Sequence, residues 1–124
     1  MKTQLIMMTA CVLLALGCGG SYPPPTQQMA DVQSANRSAT ELGAQKNPRA
    51  ELHLKLAEEQ LDLAKKAIAD DDNERATSLL MRAKADAELA VALTREDSAN
   101  TQAENAVDQA DSKRSINDQL GAAQ

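Results

Sequence analysis

The sequence predicts an all-α protein: a small three-helix up-down bundle built on an antiparallel helical hairpin, with room for an extended C-terminal helix. Three observations carry this. Two stretches, Asn47 to Ile68 and Ala76 to Thr94, each repeat small or apolar residues at three- and four-residue spacing, the period of one helical face. A single short breaker, Asp70-Asp71-Asp72-Asn73, separates them, and so short a connection leaves antiparallel neighbours. Finally, the chain has no Trp, no Phe and one Tyr. Aromatic rings supply the large buried areas of most cores, so this core must be Leu and Ala packed between closely spaced helices.

The chain divides into residues 1–17, a cleavable leader; 18–28, a tether; 29–97, the helical domain; and 98–124, an Ala-rich partly ordered helix or tail. In the leader, Lys2 is a positive start and Leu5 to Leu16 a mostly apolar run ending at Ala15-Leu16-Gly17-Cys18. That is the layout of a secretory signal, and the run is short of the roughly 20 residues a membrane span needs. The cut is expected between Gly17 and Cys18. Gly19-Gly20-Ser21 is then flexible and Pro23-Pro24-Pro25 stiff and extended, a combination that makes a tether.

The first helix is predicted from about Gln27 to Leu42, with Met29, Val32, Ala35, Ala39 and Leu42 on one narrow stripe. Gly43 stands where a left-handed C-terminal cap is wanted. The second helix should start at Asn47-Pro48, Asn as cap and Pro in the first helical position. Its seam is Ala50, Leu54, Ala57, Leu61, Ala64 and Ile68; Leu52, Leu56 and Leu63 form a second stripe. A helix apolar over half its circumference needs two neighbours, which places it in the middle of the bundle with the second stripe against the first helix. Asp71 and Glu74 read as a capping box opening the third helix. That helix carries Ala76, Leu80, Ala83, Ala87, Ala90 and Thr94. Beyond Arg95 only Ala99, Ala103, Ala106 and Ala110 hold the spacing, with Val107 beside them. No Gly or Pro intervenes before Gly121, so the helix is expected to run on with little burial and to fray near that residue.

Two resemblances add to this reading. Gly17-Cys18 followed by the tether resembles a bacterial lipoprotein signal, which implies that Cys18 is acylated, palmitate-like chains included, and becomes the first residue. Here Ala15 and Leu16 stand in the reverse of that signal's usual order, and Ala15-Leu16-Gly17 also fits the small-x-small site of ordinary secretion. Acylation would remove an otherwise unpaired reactive thiol. Two or more acyl chains hold firmly, at about 0.8 kcal/mol per buried CH₂. Gly19 is not the Asp that retains such proteins at the inner membrane, which favours the periplasmic face of the outer membrane. Secondly, Gly43-Ala44, Pro48, the Leu/Ala ladder and Ala83-Lys84-Ala85-Asp86-Ala87-Glu88-Leu89-Ala90 resemble the domain-of-unknown-function family 4398 over roughly residues 29–93. That family implies an anchored envelope helical domain without catalysis and offers no functional residues to carry over.

Candidate chemistry is sparse. The acidic run Asp70 to Glu74 is compact for a calcium loop, which spaces its oxygens more widely around a Gly turn; charge before a helix start is ordinary dipole complement. His53, the one histidine, reads as an edge-of-core residue rather than a zinc ligand. No nucleophile motif or phosphate-cradling Gly loop is present. With a net charge of −5 and no basic patch, nucleic-acid binding is not expected. The functional expectation is a lipid-anchored, non-enzymatic envelope protein acting as a structural or adaptor helical module. It has no cofactor, no metal and no small-molecule substrate; its partners are the bilayer, through Cys18, and a protein or second copy, through a helical face. The alternative is a soluble periplasmic chaperone-like or tetratricopeptide-like binder using the same apolar strips.

Overall fold

The computed structural model describes residues 22–122, so the leader, Gly17 and Cys18 lie outside the described residues. Three helices follow: α1 (Thr26–Leu42), α2 (Pro48–Ala69) and α3 (Asn73–Ala122), with a 3-10 turn at Ala44–Lys46 between the first two. Each boundary has a chemical cause. Gly43 ends α1 in the left-handed conformation (φ 90°, ψ 35°), and its N–H donates back to the Thr40 carbonyl at 3.0 Å. The Asn47 side chain accepts from the N–H groups of Arg49 (2.9 Å) and Ala50 (3.2 Å), and Pro48 takes the first position. At the hairpin turn the cap is one residue later than the sequence suggests. Asp71 adopts a positive φ of 59° to turn the chain, and Asp72 accepts from the Arg75 N–H at 3.1 Å. Asp71 is therefore the turn residue rather than the cap, and no box closes onto Glu74.

α2 and α3 form the expected antiparallel hairpin. Their seams are almost wholly alanine and leucine: Ala50, Leu54, Ala57, Leu61 and Ala64 of α2 meet Ala76, Leu80, Ala83, Ala87 and Ala90 of α3, all buried. The core divides into two clusters along the hairpin. The one near the turn gathers Val32, Leu61, Leu79 and Leu80; the one at the other end gathers Ala39, Ala44, Leu54 and Leu93.

The position of α1 corrects two expectations. α1 packs chiefly on α3 and only lightly on α2, so the third helix, not the second, is central. Lys84 of α3 pairs with Asp31 of α1 at 3.6 Å. The stripe Leu52, Leu56 and Leu63 is not core against α1: these residues are exposed. The reason is angular. At 100° per residue, Leu54 and Leu61 lean to one flank of the α2 seam and contact the α1 side, whereas Leu52, Leu56 and Leu63 lie beyond the opposite flank. One helix cannot cover both.

α3 does not stop with the hairpin. Asn73 to Thr94 runs beside α2, and residues 95–122 continue as one helix with every side chain exposed. At 1.5 Å per residue this extension is about 42 Å long. The helix runs through Gly121 to Ala122.

Leu80 has no exposed surface, so Leu80→Ala should cost about 2–5 kcal/mol in urea unfolding, while Leu63→Ala should cost less than about 1 kcal/mol. An added methyl at Gly43 meets only the Lys46 side chain at ordinary contact distance, 3.6 Å. Gly43→Ala should therefore cost only the left-handed backbone, about 1 kcal/mol.

Candidate functional site

The polar feature inside the hairpin centres on Asp86. This residue projects from α3 beside the alanine seam, half-buried, and its two carboxylate oxygens meet two side chains of α2. His53 Nδ1 lies 2.8 Å from Oδ1, and Gln60 Nε2 donates to Oδ2 at 2.7 Å. His53 and Gln60 are seven residues apart, two helical turns, so they reach Asp86 from above and below. The bonds pin the register of the hairpin: the stretch of α2 around Leu56 and Ala57 sits level with Asp86. His53 is thus the satisfied edge residue the sequence suggests. Asp86 was not foreseen as its partner, although counting outward equally from the Asp70–Asp72 turn brings residue 86 level with 56. The Gln60 carbonyl oxygen is buried without a hydrogen-bond partner among the described residues.

His53 hydrogen-bonds to no hydroxyl among the described residues, and both cysteines, Cys11 and Cys18, lie outside them. Among the described residues no three or more His, Cys, Asp or Glu side chains converge as metal ligands. In the acidic run at the turn, the Asp70 backbone ends α2, Asp71 turns the chain and the Asp72 carboxylate caps α3.

Two grooves flank α3. The larger, about 510 Å³, lies between α1 and α3 and is edged by Asp31, Ser34, Ser38, Lys84, Glu88 and Arg95. Its charges largely serve each other, since Lys84 reaches both Asp31 and Glu88. The smaller, about 280 Å³, lies where Leu42 meets the start of the α3 extension. The outer face of α2 stays charged through local pairs. A hydrogen bond from Lys65 holds the Asp62 carboxyl below its ordinary range, and one to Glu51 raises the Lys55 ammonium above its own.

The opposite face of the hairpin, away from α1, carries a group of exposed leucines. Leu52 (56% exposed), Leu56 (36%) and Leu63 (44%) line its α2 side and Leu89 (41%) its α3 side, with the His53–Asp86–Gln60 cluster between. The chain enters the domain at the turn end, where the Tyr22 carbonyl accepts from the Asn73 side chain at 2.9 Å. The α3 extension leaves at the other end.

The geometry defines a helical-hairpin domain with a third helix laid across one face and a long exposed extension. The chain belongs to the family described as domain of unknown function (DUF4398), whose model matches residues 27–106, well over half of the 124 residues. The match covers α1, α2 and α3 through the first turns of the extension. No curated protein and no solved structure matches the chain.

Removing the Asp86 carboxylate strips both α2 partners at once. Asp86→Ala should destabilise the domain by about 1–3 kcal/mol. A double-mutant cycle between His53→Ala and Asp86→Ala should return a coupling of at least about 0.5 kcal/mol; purely additive effects would show that the bond contributes nothing.

Proposed function

We propose that this protein is a lipid-anchored, non-enzymatic module of the bacterial cell envelope. It is held at a membrane by an acylated Cys18 and acts as a structural or adaptor element by presenting helical faces to a protein partner. The observation that carries the reading is the ordered run at the start of the chain: positive residue, short apolar segment, Gly17-Cys18, then Gly-Gly-Ser and three prolines. No described helix is long and apolar enough to cross a membrane, so the reading assigns attachment to the acyl group.

The fold gives this reading a direction. The Tyr22 carbonyl accepts from the Asn73 side chain at the hairpin turn, so the described chain begins at that end of the domain. α3 then runs away from it for 50 residues, about 75 Å. An anchor at Cys18 therefore faces the turn toward the bilayer and carries the α3 extension outward, with the exposed leucines between the two ends. If Cys18 carried no lipid, the same leucines would instead suit a soluble binder of apolar clients.

The mass of the processed chain, purified from membranes, tests this directly. It should begin at Cys18 and exceed the polypeptide mass by the acyl groups, and Cys18→Ser should move the protein from the membrane fraction to the soluble one or block its processing. An unmodified N-terminal cysteine would overturn the anchor.

A further inference from the structure

The leucine face of the hairpin has its own charges, and they are unused. Arg49 and Glu59 flank Leu52, Leu56 and Leu63 on α2; Arg82 and Glu96 flank Leu89 on α3. All four are exposed, and none enters an ion pair with another described residue.

We infer that this face pairs with the same face of a second copy, about a two-fold axis parallel to the helices, so that α2 of each copy lies on α3 of the other in a four-helix core. The α1 helices then lie outside, one on each flank. An axis of this direction keeps every residue at its own height, so the register pinned by Asp86 also holds between copies. Leu89 of the second copy then falls between the levels of Leu52 and Leu56. Glu59 comes within two residues of the level of Arg82, about 2 Å of rise, and Arg49 within three residues of the level of Glu96, about 4 Å. Both charge pairs are opposite in sign, and the symmetry forms each of them twice. The two offsets run in opposite directions along the axis, so this register lies between the two pairs, and the long Arg and Glu side chains span what remains. An antiparallel pair, α2 on α2, would bring the two turn ends to opposite sides. The parallel pair brings both tethers to one end. The choice between these two arrangements, but not the choice of face, rests on the anchored reading proposed above.

Such a pair also answers a physical need. Small domains with alanine-rich cores bury little area per residue, and burial barely exceeds the cost of ordering. Covering the exposed leucines with a second copy adds apolar burial where α1 does not reach.

The test uses the full chain purified in mild detergent and followed by sedimentation velocity from about 1 to 100 μM. The wild type should dimerise. Arg49→Glu sets like charges opposite at Glu96, and Glu96→Arg does the same at Arg49; each alone should weaken dimerisation by at least about tenfold. An equimolar mixture of the two variants should recover it, because each then meets its complement. Both positions are exposed, so circular dichroism should stay that of the wild type. Leu56→Asp should abolish the dimer with the helices intact. A wild type that stays monomeric, a dimer indifferent to these changes, or single reversals that the mixture fails to rescue would each overturn the pairing. So would crosslinks showing an antiparallel pair. A rescued dimer whose Cys18 carries no lipid would overturn the anchor alone, and a lipidated monomer the pairing alone.

Discussion

The structure depends on alanine facing alanine across the α2–α3 seam. Where both helices present methyl groups, their backbones come close, and packing distance follows the side chains at the contact. Ala57, Ala64, Ala83, Ala87 and Ala90 are all fully buried, and only a few leucines add bulk between them. Such a seam is weak in area and undemanding in shape, because one alanine resembles another. The polar bridge from Asp86 to His53 and Gln60 supplies what the methyl groups lack. It distinguishes one register from its neighbours, since sliding α2 by a turn would strand a half-buried carboxylate.

α1 shows the same economy. It covers one flank of the hairpin, leaning on α3, and contributes Val32 and Ala39 to the core. Its seam also includes a buried asparagine, Asn36, whose carbonyl oxygen has no partner among the described residues. A buried polar group of this kind lowers stability. With one flank closed and the other open, the hairpin keeps a leucine face for something other than its own third helix. The extension of α3 and the entry of the chain at the opposite end give the domain a polarity: Tyr22 at the turn, the long exposed helix at the far end, the leucine face between.

Much of this was legible in the residues. The helix boundaries at Gly43 and Asn47-Pro48 were, because caps are local chemistry: a left-handed residue, an accepting side chain, a missing N–H. The hairpin was, because two matching seams joined by a short acidic breaker leave no other neighbour. The cap at Asp72 rather than Asp71 was not, because several adjacent aspartates can each cap and the one that must turn the chain is set by the turn geometry. The family was recognisable from the Gly-Ala, Pro and Asp-Ala-x-Leu-Ala pieces, and the match over residues 27–106 places the chain in it.

By itself, the sequence determined that the protein is helical, that it is thin, and that α2 and α3 form a hairpin, since periodicity, missing aromatics and capping are properties of neighbouring residues. Only the tertiary structure decided which helix is central and which leucines are covered. Periodicity on α2 marks two apolar flanks but cannot say which one α1 occupies. That choice is made on α3, where Lys84 and Val91 lie toward α1 while Asp86 and Leu89 lie toward the open side.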